Sequence, residues 1–321
     1  MVGQQRLAVG VDFGGSGVKA AVVDVEGGVF VSERVRVPTP TPSVPAAVVD
    51  TMTRLVRRVE RQVGATGLPV GVGIPGVVID GVVKTAANID AGWVDFPAET
   101  QLGRLLKRPV AALNDADGAG IAEMRFGAGH DEPGTVIVLT LGTGVGSAIF
   151  IDGHLFPNTE LGHMEIRGRD AERRSASAAR IKRGLSWKAW AADLDEHLQH
   201  MEKLFSPRLF ILGGGVSKNA DRFIPRLTVR ANVVPAVLRN DAGIIGAAVV
   251  AYEKAQLAAR TDAAAQQAEA AALRAAERRA SRGSGRVPGG GRRAAGGSGA
   301  ADPAPAEAAA PEGEEDPASA G

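Results

Sequence analysis

Asp12, Gly14, Gly15, Ser16, Gly17 and Lys19 crowd a carboxylate, a hydroxyl, an ammonium group and three unhindered backbone positions into VGVDFGGSGVKAAVVDVEGG. The glycines free backbone amides to approach an anion, Ser16 and Lys19 add a hydroxyl and a cation, and Asp12 suits Mg2+, directly or through water. The pattern returns in VLTLGTGVGSAIFIDGHLF, where Asp12 falls on Thr140, Gly14 on Gly142, Ser16 on Gly144 and Asp24 on Asp152. This second copy has no acid before its turn and offers Thr140, Thr143 and the amides of Gly142 and Gly144, which suit phosphate oxygens rather than a metal. Each copy reads as strand, glycine turn, strand and polar turn, a hairpin whose bend admits close approach. One such loop alone could be only a tight hairpin. Two of them facing each other make a cleft for phosphoryl transfer.

Three other stretches carry chemistry. LNDADGAG places Asn114 and Asp115 where a strand ends and a helix begins, the position at which α/β folds bind ligands; Asp115 taken alone could equally be a helix cap. NTELGHMEI packs Glu160, His163 and Glu165 together, a density of donors and acceptors that suits a polyhydroxyl ligand. A surface turn is the plain alternative, and a metal site a second one, although this spacing does not put all three on one helical face. ILGGGVSKNADRF reads as a strand, a glycine turn at Gly214 and Gly215, and a helix beginning near Ser217, either an anion seat or a simple connection.

The elements that must hold these groups alternate. PVGVGIP and PVAAL read as buried strands, and between the first hairpin and PVGVGIP the residues Val48, Met52, Leu55, Val56 and Val59 mark one helical face. A second unit follows residue 134, with a helix around Ser186 to Leu204, the strand LFILG and an apolar helix from Ala242 to Tyr252. Strands alternating with helices predict α/β layers, and the internal repeat predicts two related domains around a cleft. The boundaries expected are 1–113 for the first domain, with the helix 241–254 packed on it, 114–240 for the second, and 255–321 for a tail.

Composition sets the frame. The chain has 321 residues, 45% hydrophobic and 23% charged, enough for a substantial core in two domains. There is no cysteine, so disulfides and thiolate metal sites are excluded. The net charge of +1 says nothing about partners. No apolar run reaches the ~18 residues of a membrane span, and MVGQQRLAVGVDF lacks the apolar core of a signal peptide, so a cytoplasmic location away from membranes is expected. From Gln256 to Ser281 the chain is Ala, Gln, Glu and Arg without an apolar stripe, which predicts a solvated or marginal helix. Beyond Arg282 it turns to Gly, Ser, Arg, Pro and Ala, first basic and then acidic, and is expected to be disordered.

In that order and spacing, DFGGSGVK, LNDADGAG, LGTGVG, ELGH and LGGGVS resemble the ROK family of sugar kinases across residues 6–254. PNTELGHMEI, GLSWKAWA, LFSPRLFILGGGVSK and VPAVLRNDAGIIGAA are similar to the branch of that family that acts on glucose with polyphosphate. The resemblance implies an actin-like ATPase fold, α/β in class, built from two ribonuclease-H-like domains, and most naturally a homodimer. It implies transfer of a phosphoryl group to the 6-hydroxyl of glucose from inorganic polyphosphate and also from ATP. It makes Asp115 the general base, with Asn88, Asn114, Glu160, His163 and Glu165 on the sugar hydroxyls. Gly14, Gly15, Thr143 and Gly144 would hold the phosphoryl chain, Mg2+ would lie near Asp12, and Gly214 and Gly215 would meet the adenosine side of ATP.

Many ROK members carry a cysteine-rich zinc motif soon after the Gly-His pair. Here that stretch is RGRDAERRSASAARIKRG, with Arg167, Arg169, Arg173, Arg174, Arg180, Lys182 and Arg183. It reads either as a solvated face or as an attractor of a long polyanion, and Arg282, Arg286, Arg292 and Arg293 in the tail offer a second such attractor. A ROK repressor would need a DNA-binding domain ahead of the first hairpin, which begins by residue 14, so nucleic acid is not an expected partner. A sugar-binding module without activity could dispense with Asp115. The nearest rival is an ATP-dependent hexokinase for glucose, mannose or N-acetylmannosamine.

Overall fold

The computed structural model describes residues 6–283, with side chains through Arg274, so the disorder expected for the last part of the tail lies outside the described residues. The first hairpin is β1 (Leu7–Gly14) and β2 (Gly17–Asp24), followed by β3 (Val29–Phe30), β4 (Val35–Val37), α1 (Pro45–Gln62) and β5 (Val70–Ile74). A small ribbon of β6 (Val78–Ile79) and β7 (Val82–Val83) precedes α2 (Ala98–Leu106), β8 (Val110–Asn114) and α3 (Asp115–Phe126). The second hairpin is β9 (Thr135–Leu141) and β10 (Val145–Ile151), followed by β11 (His154–Phe156) and a second ribbon of β12 (Glu165–Ile166) and β13 (Arg169–Asp170). The chain then forms α4 (Glu172–Ser175), α5 (Ser177–Lys182), α6 (Trp187–Phe205), β14 (Leu209–Gly213), β15 (Asn232–Pro235) and α7 (Ala242–Gly283).

The strands build two sheets with one topology. The first runs β3-β2-β1-β5-β8, with β4 also on the edge of β2, and the second runs β11-β10-β9-β14-β15. In each, the hairpin is antiparallel and the later strands join parallel to its first strand. The repeat seen in the two glycine stretches is therefore a repeat of a whole layer. β5 and β14 are buried along their full length, as central parallel strands covered on both faces must be.

Local signals account for the covering helices. α1 starts with Pro45 in its first turn, where a missing N–H costs nothing, and buries Val48, Val49, Met52, Leu55, Val56 and Val59 against the first sheet. α6 starts at Ser186, whose side chain accepts from the Ala189 amide, and buries Trp190, Leu194, Leu198 and Met201 against the second sheet. α7 lies directly on β1 and β5. A Cβ at Gly10 or Gly71 would collide with the carbonyls of Ile244 and Ala247, so two strand glycines let a helix backbone settle onto a sheet.

α7 is longer than the apolar stretch ending at Tyr252 suggests. It continues through Gly283, and every side chain from Gln256 to Arg274 is exposed, the solvated helix that its Ala, Gln, Glu and Arg content favours. Residues through Ala265 form one compact unit.

Candidate active site

The two glycine turns open onto a cleft of about 350 Å³, and it takes its lining from both layers. Asp12, Gly14, Gly15, Ser16 and Lys19 come from the first hairpin, and Thr140, Gly142, Thr143 and Gly144 from the second. Asn88, Asn114, Asp115, Glu160, His163 and Gly214 complete the set of expected residues that the fold brings together.

The first turn is held from outside. Thr39 Oγ1 donates to the Gly14 carbonyl at 2.6 Å, and Arg36 Nη2 donates to the Ser16 carbonyl at 2.9 Å. The N–H of a trans peptide opposes its C=O, so the amides of Gly15 and Gly17 are aimed away from that outer segment. Asp12 and Lys19 are cross-strand partners, and Lys19 Nζ donates to Asp12 Oδ2 at 2.6 Å. This pair puts one carboxylate and one ammonium on the donor side of the cleft.

Asp115 opens α3, but the helix is capped by its neighbour. Asn114 Oδ1 accepts from the amides of Ala116 at 2.8 Å and Asp117 at 3.1 Å, and Asn114 Nδ2 donates to the Gly76 carbonyl at 3.1 Å. The cap role is thus taken by Asn114, and Asp115, which lines the cleft beside it, is released from it. Burial, then the negative charge of Asp12, pushes the Asp115 carboxyl up to about 7, with Glu160 and Asp117 adding to the effect. A carboxyl poised there can take a proton near neutral pH.

The opposite wall is a braced loop. Ser147 Oγ donates to the Thr159 carbonyl at 2.7 Å, Thr159 Oγ1 donates to the Ser147 carbonyl at 2.9 Å, and Leu161 N donates to Ser147 Oγ at 2.9 Å. Buried His197 reaches the Leu161 carbonyl with Nε2 at 3.0 Å while Nδ1 lies 2.9 Å from Ser175 Oγ, and burial holds its pKa down at about 4. The ring is therefore neutral at ordinary pH, donating through Nε2. Glu160 is raised from its ordinary value, mainly by burial.

Two expected residues lie elsewhere. Glu165 sits on β12 with its side chain exposed, because the strand alternates and Ile166 takes the buried face. Gly215 begins a 3-10 segment, Gly215–Arg222, and does not line the cleft, whereas Gly214 does. The helix expected near Ser217 is this short, kinked segment, interrupted at Asn219, so it supplies no sustained helix terminus. Gly214 has φ of +83°, and a Cβ there would meet the Leu141 carbonyl at 2.5 Å, so the position admits only glycine.

Glu172 is the residue that sequence reasoning missed. Its Oε2 accepts from Val145 N at 3.0 Å, and a side chain at Gly144 would run into that oxygen and into Asn88 Nδ2. Arg167 and Gly168 both have positive φ, so the chain doubles back through β12 and β13 and returns Asp170 and Glu172 to His163. His163 Nδ1 lies 3.3 Å from Asp170 Oδ2, and His163, Asp170 and Glu172 bring ligand atoms within 4.8 Å of one another. The dipeptide Arg-Gly, a two-residue hairpin turn, was the available signal. Arg239 and Asn240 also line the cleft without having been expected there.

Much of the basic stretch after Ile166 is internally paired. Arg174 bonds Asp193 and Glu196, Arg167 bonds Glu196, and Arg183 bonds Asp193. Arg180 lies over the Trp187 ring, 4.0 Å from its centroid. α6 thus pairs three of the seven basic side chains that suggested a polyanion seat, while Arg169, Arg173, Arg180 and Lys182 have no ion-pair partner among the described residues.

Two layers of identical strand order, each lending a glycine hairpin to a shared cleft, define the actin-like ATPase fold. The chain belongs to the ROK family, which matches residues 8–177. It is 46% identical over 246 residues to a polyphosphate glucokinase of Mycobacterium tuberculosis, covering 76% of this chain and 91% of that one. It is similar to the solved inorganic polyphosphate/ATP-glucomannokinase from Arthrobacter sp. strain KM, at 47% identity and a TM-score of 0.75, over 77% of this chain and 99% of that one. A ROK family glucokinase from Streptomyces griseus in complex with glucose and AMPPNP is similar at 27% identity and a TM-score of 0.68, over 77% of this chain and 99% of that one.

Proposed function

We propose that this protein transfers a phosphoryl group from inorganic polyphosphate, and also from ATP, to the 6-hydroxyl of glucose. The observation that carries the reading is Asp115, a carboxyl tuned to about 7 between two glycine turns and a wall of sugar-sized polar groups. Its polyphosphate half is supported by the names of the relatives at 46% and 47% identity. Glucose hydroxyls are held by Asn88, Asn114, Glu160, His163 and Glu172, leaving the 6-hydroxyl against Asp115. The amides of Gly15 and Gly144, with Ser16, Thr140, Thr143, Lys19 and Arg239, hold the donor phosphates, while the Gly142 amide donates to the Gly144 carbonyl at 3.0 Å and shapes the turn, and Gly214 borders the side where an adenosine would lie.

In the transfer, the O6–P bond forms as the bridging P–O bond to the donor breaks. The hydroxyl proton passes to Asp115, and the leaving phosphate oxygen keeps the electron pair. Asp12 fits a divalent ion of the Mg2+ kind: Lys19 takes Oδ2, one carboxylate oxygen remains, and phosphate oxygens with waters can fill the other positions. Such an ion would neutralise charge on the donor phosphates. Closure of the two layers over both substrates would exclude water and limit hydrolysis.

Among the described residues no helix is long and apolar enough to cross a membrane. A cytoplasmic homodimer belongs to the same proposal and is checked by cell fractionation and sedimentation. The donor is checked by competition between long-chain polyphosphate and ATP on the purified protein with glucose and Mg2+. Both should yield glucose 6-phosphate, and yield from ATP alone at every salt concentration would overturn the polyphosphate half.

A further inference from the structure

A stripe of basic side chains lies outside the cleft, on α1. Arg54, Arg57, Arg58 and Arg61 stand at i, i+3, i+4 and i+7, one stripe of the helix extending about 10 Å. All four line a groove of about 660 Å³ that has no acidic residue in its lining. The helix offers little relief. Asp50 meets Arg54 at 2.7 Å with both side chains largely exposed, and Glu60 is buried and committed to Arg108 at 2.7 Å. Arg57 donates to the Leu105 carbonyl at 3.2 Å, and Arg58 and Arg61 have no ion-pair partner among the described residues. Like charges at these spacings repel, so the stripe opposes helix stability unless an anion lies along it.

The other wall of the groove connects it to the donor turn. Val37, Pro38 and Pro40 line the groove, while Arg36 and Thr39, on either side of Val37 and Pro38, hold the Ser16 and Gly14 carbonyls of the first glycine turn. One segment of five residues therefore borders both the phosphate turn and the arginine groove. Arg36, next in sequence to the groove-lining Val37, is exposed and bonded to the turn.

We propose that the α1 groove is a distal binding site for the donor, holding the part of a long inorganic polyphosphate chain that extends out of the cleft past Arg36. The inference rests on the polyphosphate reading above. A linear polyanion with a phosphate at every repeat matches a row of guanidinium groups, each able to bond phosphate oxygens through two N–H groups. A nucleic acid fits less well, since the lining carries no aromatic ring to stack a base and no amide or carboxylate to read one. Tethering the chain here raises the local concentration of phosphoryl groups at the turn without a new contact at the reacting end.

The test uses the full chain with Arg57, Arg58 and Arg61 changed together to Gln, and separately to Lys. Against long-chain polyphosphate, the Gln variant should show a KM raised about tenfold or more, with kcat, the ATP and tripolyphosphate KM values and the glucose KM unchanged. The Lys variant should recover most of the loss, and the salt dependence of the long-chain KM should flatten in the Gln variant alone. An unmoved long-chain KM in the Gln variant, or an equal rise for tripolyphosphate, overturns the groove. So does single-stranded DNA displacing long-chain polyphosphate from the original protein as effectively as polyphosphate of equal charge. If neither polyphosphate yields product while ATP does, the donor reading has failed. Equilibrium binding of long-chain polyphosphate then still decides the groove: binding weakened by the Gln change supports it, and binding unchanged overturns it.

Discussion

The backbone N–H of Asn158 donates to Asp117 Oδ2 at 2.8 Å, tying the loop that carries Glu160 to the first turn of α3, where Asp115 lies. Asn158 also reaches across to β6. Its Oδ1 accepts from Val78 N at 2.9 Å and its Nδ2 donates to the Val78 carbonyl at 3.0 Å. The acceptor wall, the base-bearing helix and a ribbon of the first layer are therefore fixed to one another through one residue.

Asp117 is buried, and its Oδ1 has no partner among the described residues. Burial pushes its carboxyl from the ordinary 3.8 to about 7. Between those values the folded chain keeps a proton that the unfolded chain has released, so stability falls as pH rises from about 4 to about 7. Asp117→Asn keeps an oxygen for the Asn158 amide and removes the charge. It should raise Tm at pH 8 by at least about 3 °C over the original protein, with a smaller gain at pH 5. Calorimetry at the two pH values checks this, and a gain equal at both would contradict it.

Asp115 must be deprotonated to accept the glucose proton, so kcat/KM should rise with pH and level off above about 7. Asp115→Asn should lower kcat by about 100-fold or more with an unchanged circular dichroism spectrum. Near-normal turnover in that variant would remove Asp115 from the mechanism.

Glu172 and Glu165 provide a paired comparison. Glu172→Gln should raise the glucose KM about tenfold or more, because a charge-assisted bond to a hydroxyl is lost inside a cleft. Glu165→Gln, on an exposed strand position, should leave the glucose KM within about twofold. Steady-state kinetics with glucose varied distinguishes the two, and a reversed order would restore Glu165 to the site.

A chain ending at Ala265 should keep the Tm and the glucose KM of the full chain, since the described side chains beyond it, through Arg274, are all exposed. Loss of activity with every donor after this truncation would show that the segment is structural.

The two hairpins, the buried strand β5, the partly buried strand β8, the inward face of α1 and the cleft membership of Asp12, Asp115, Glu160 and His163 were legible in the sequence. Their signals are local: glycine turns between apolar runs, period-3.6 apolar faces, and a strand ending in Asn-Asp ahead of a helix. Their repetition at Gly14 and Gly142 declared a duplicated layer before any coordinate. What tertiary structure decided depends on chain reversal and on partners distant in sequence. The β12–β13 reversal brought Glu172 into the cleft and turned Glu165 out to solvent. α6, through Asp193 and Glu196, engaged Arg167, Arg174 and Arg183 in ion pairs, although in sequence they looked as free as any other basic run. Arg57, Arg58 and Arg61 of α1 have no ion-pair partner among the described residues, since Asp50 pairs with Arg54 and Glu60 is turned into the interior toward Arg108. A side chain's type is fixed by sequence, but whether its charge remains available depends on what the fold sets against it.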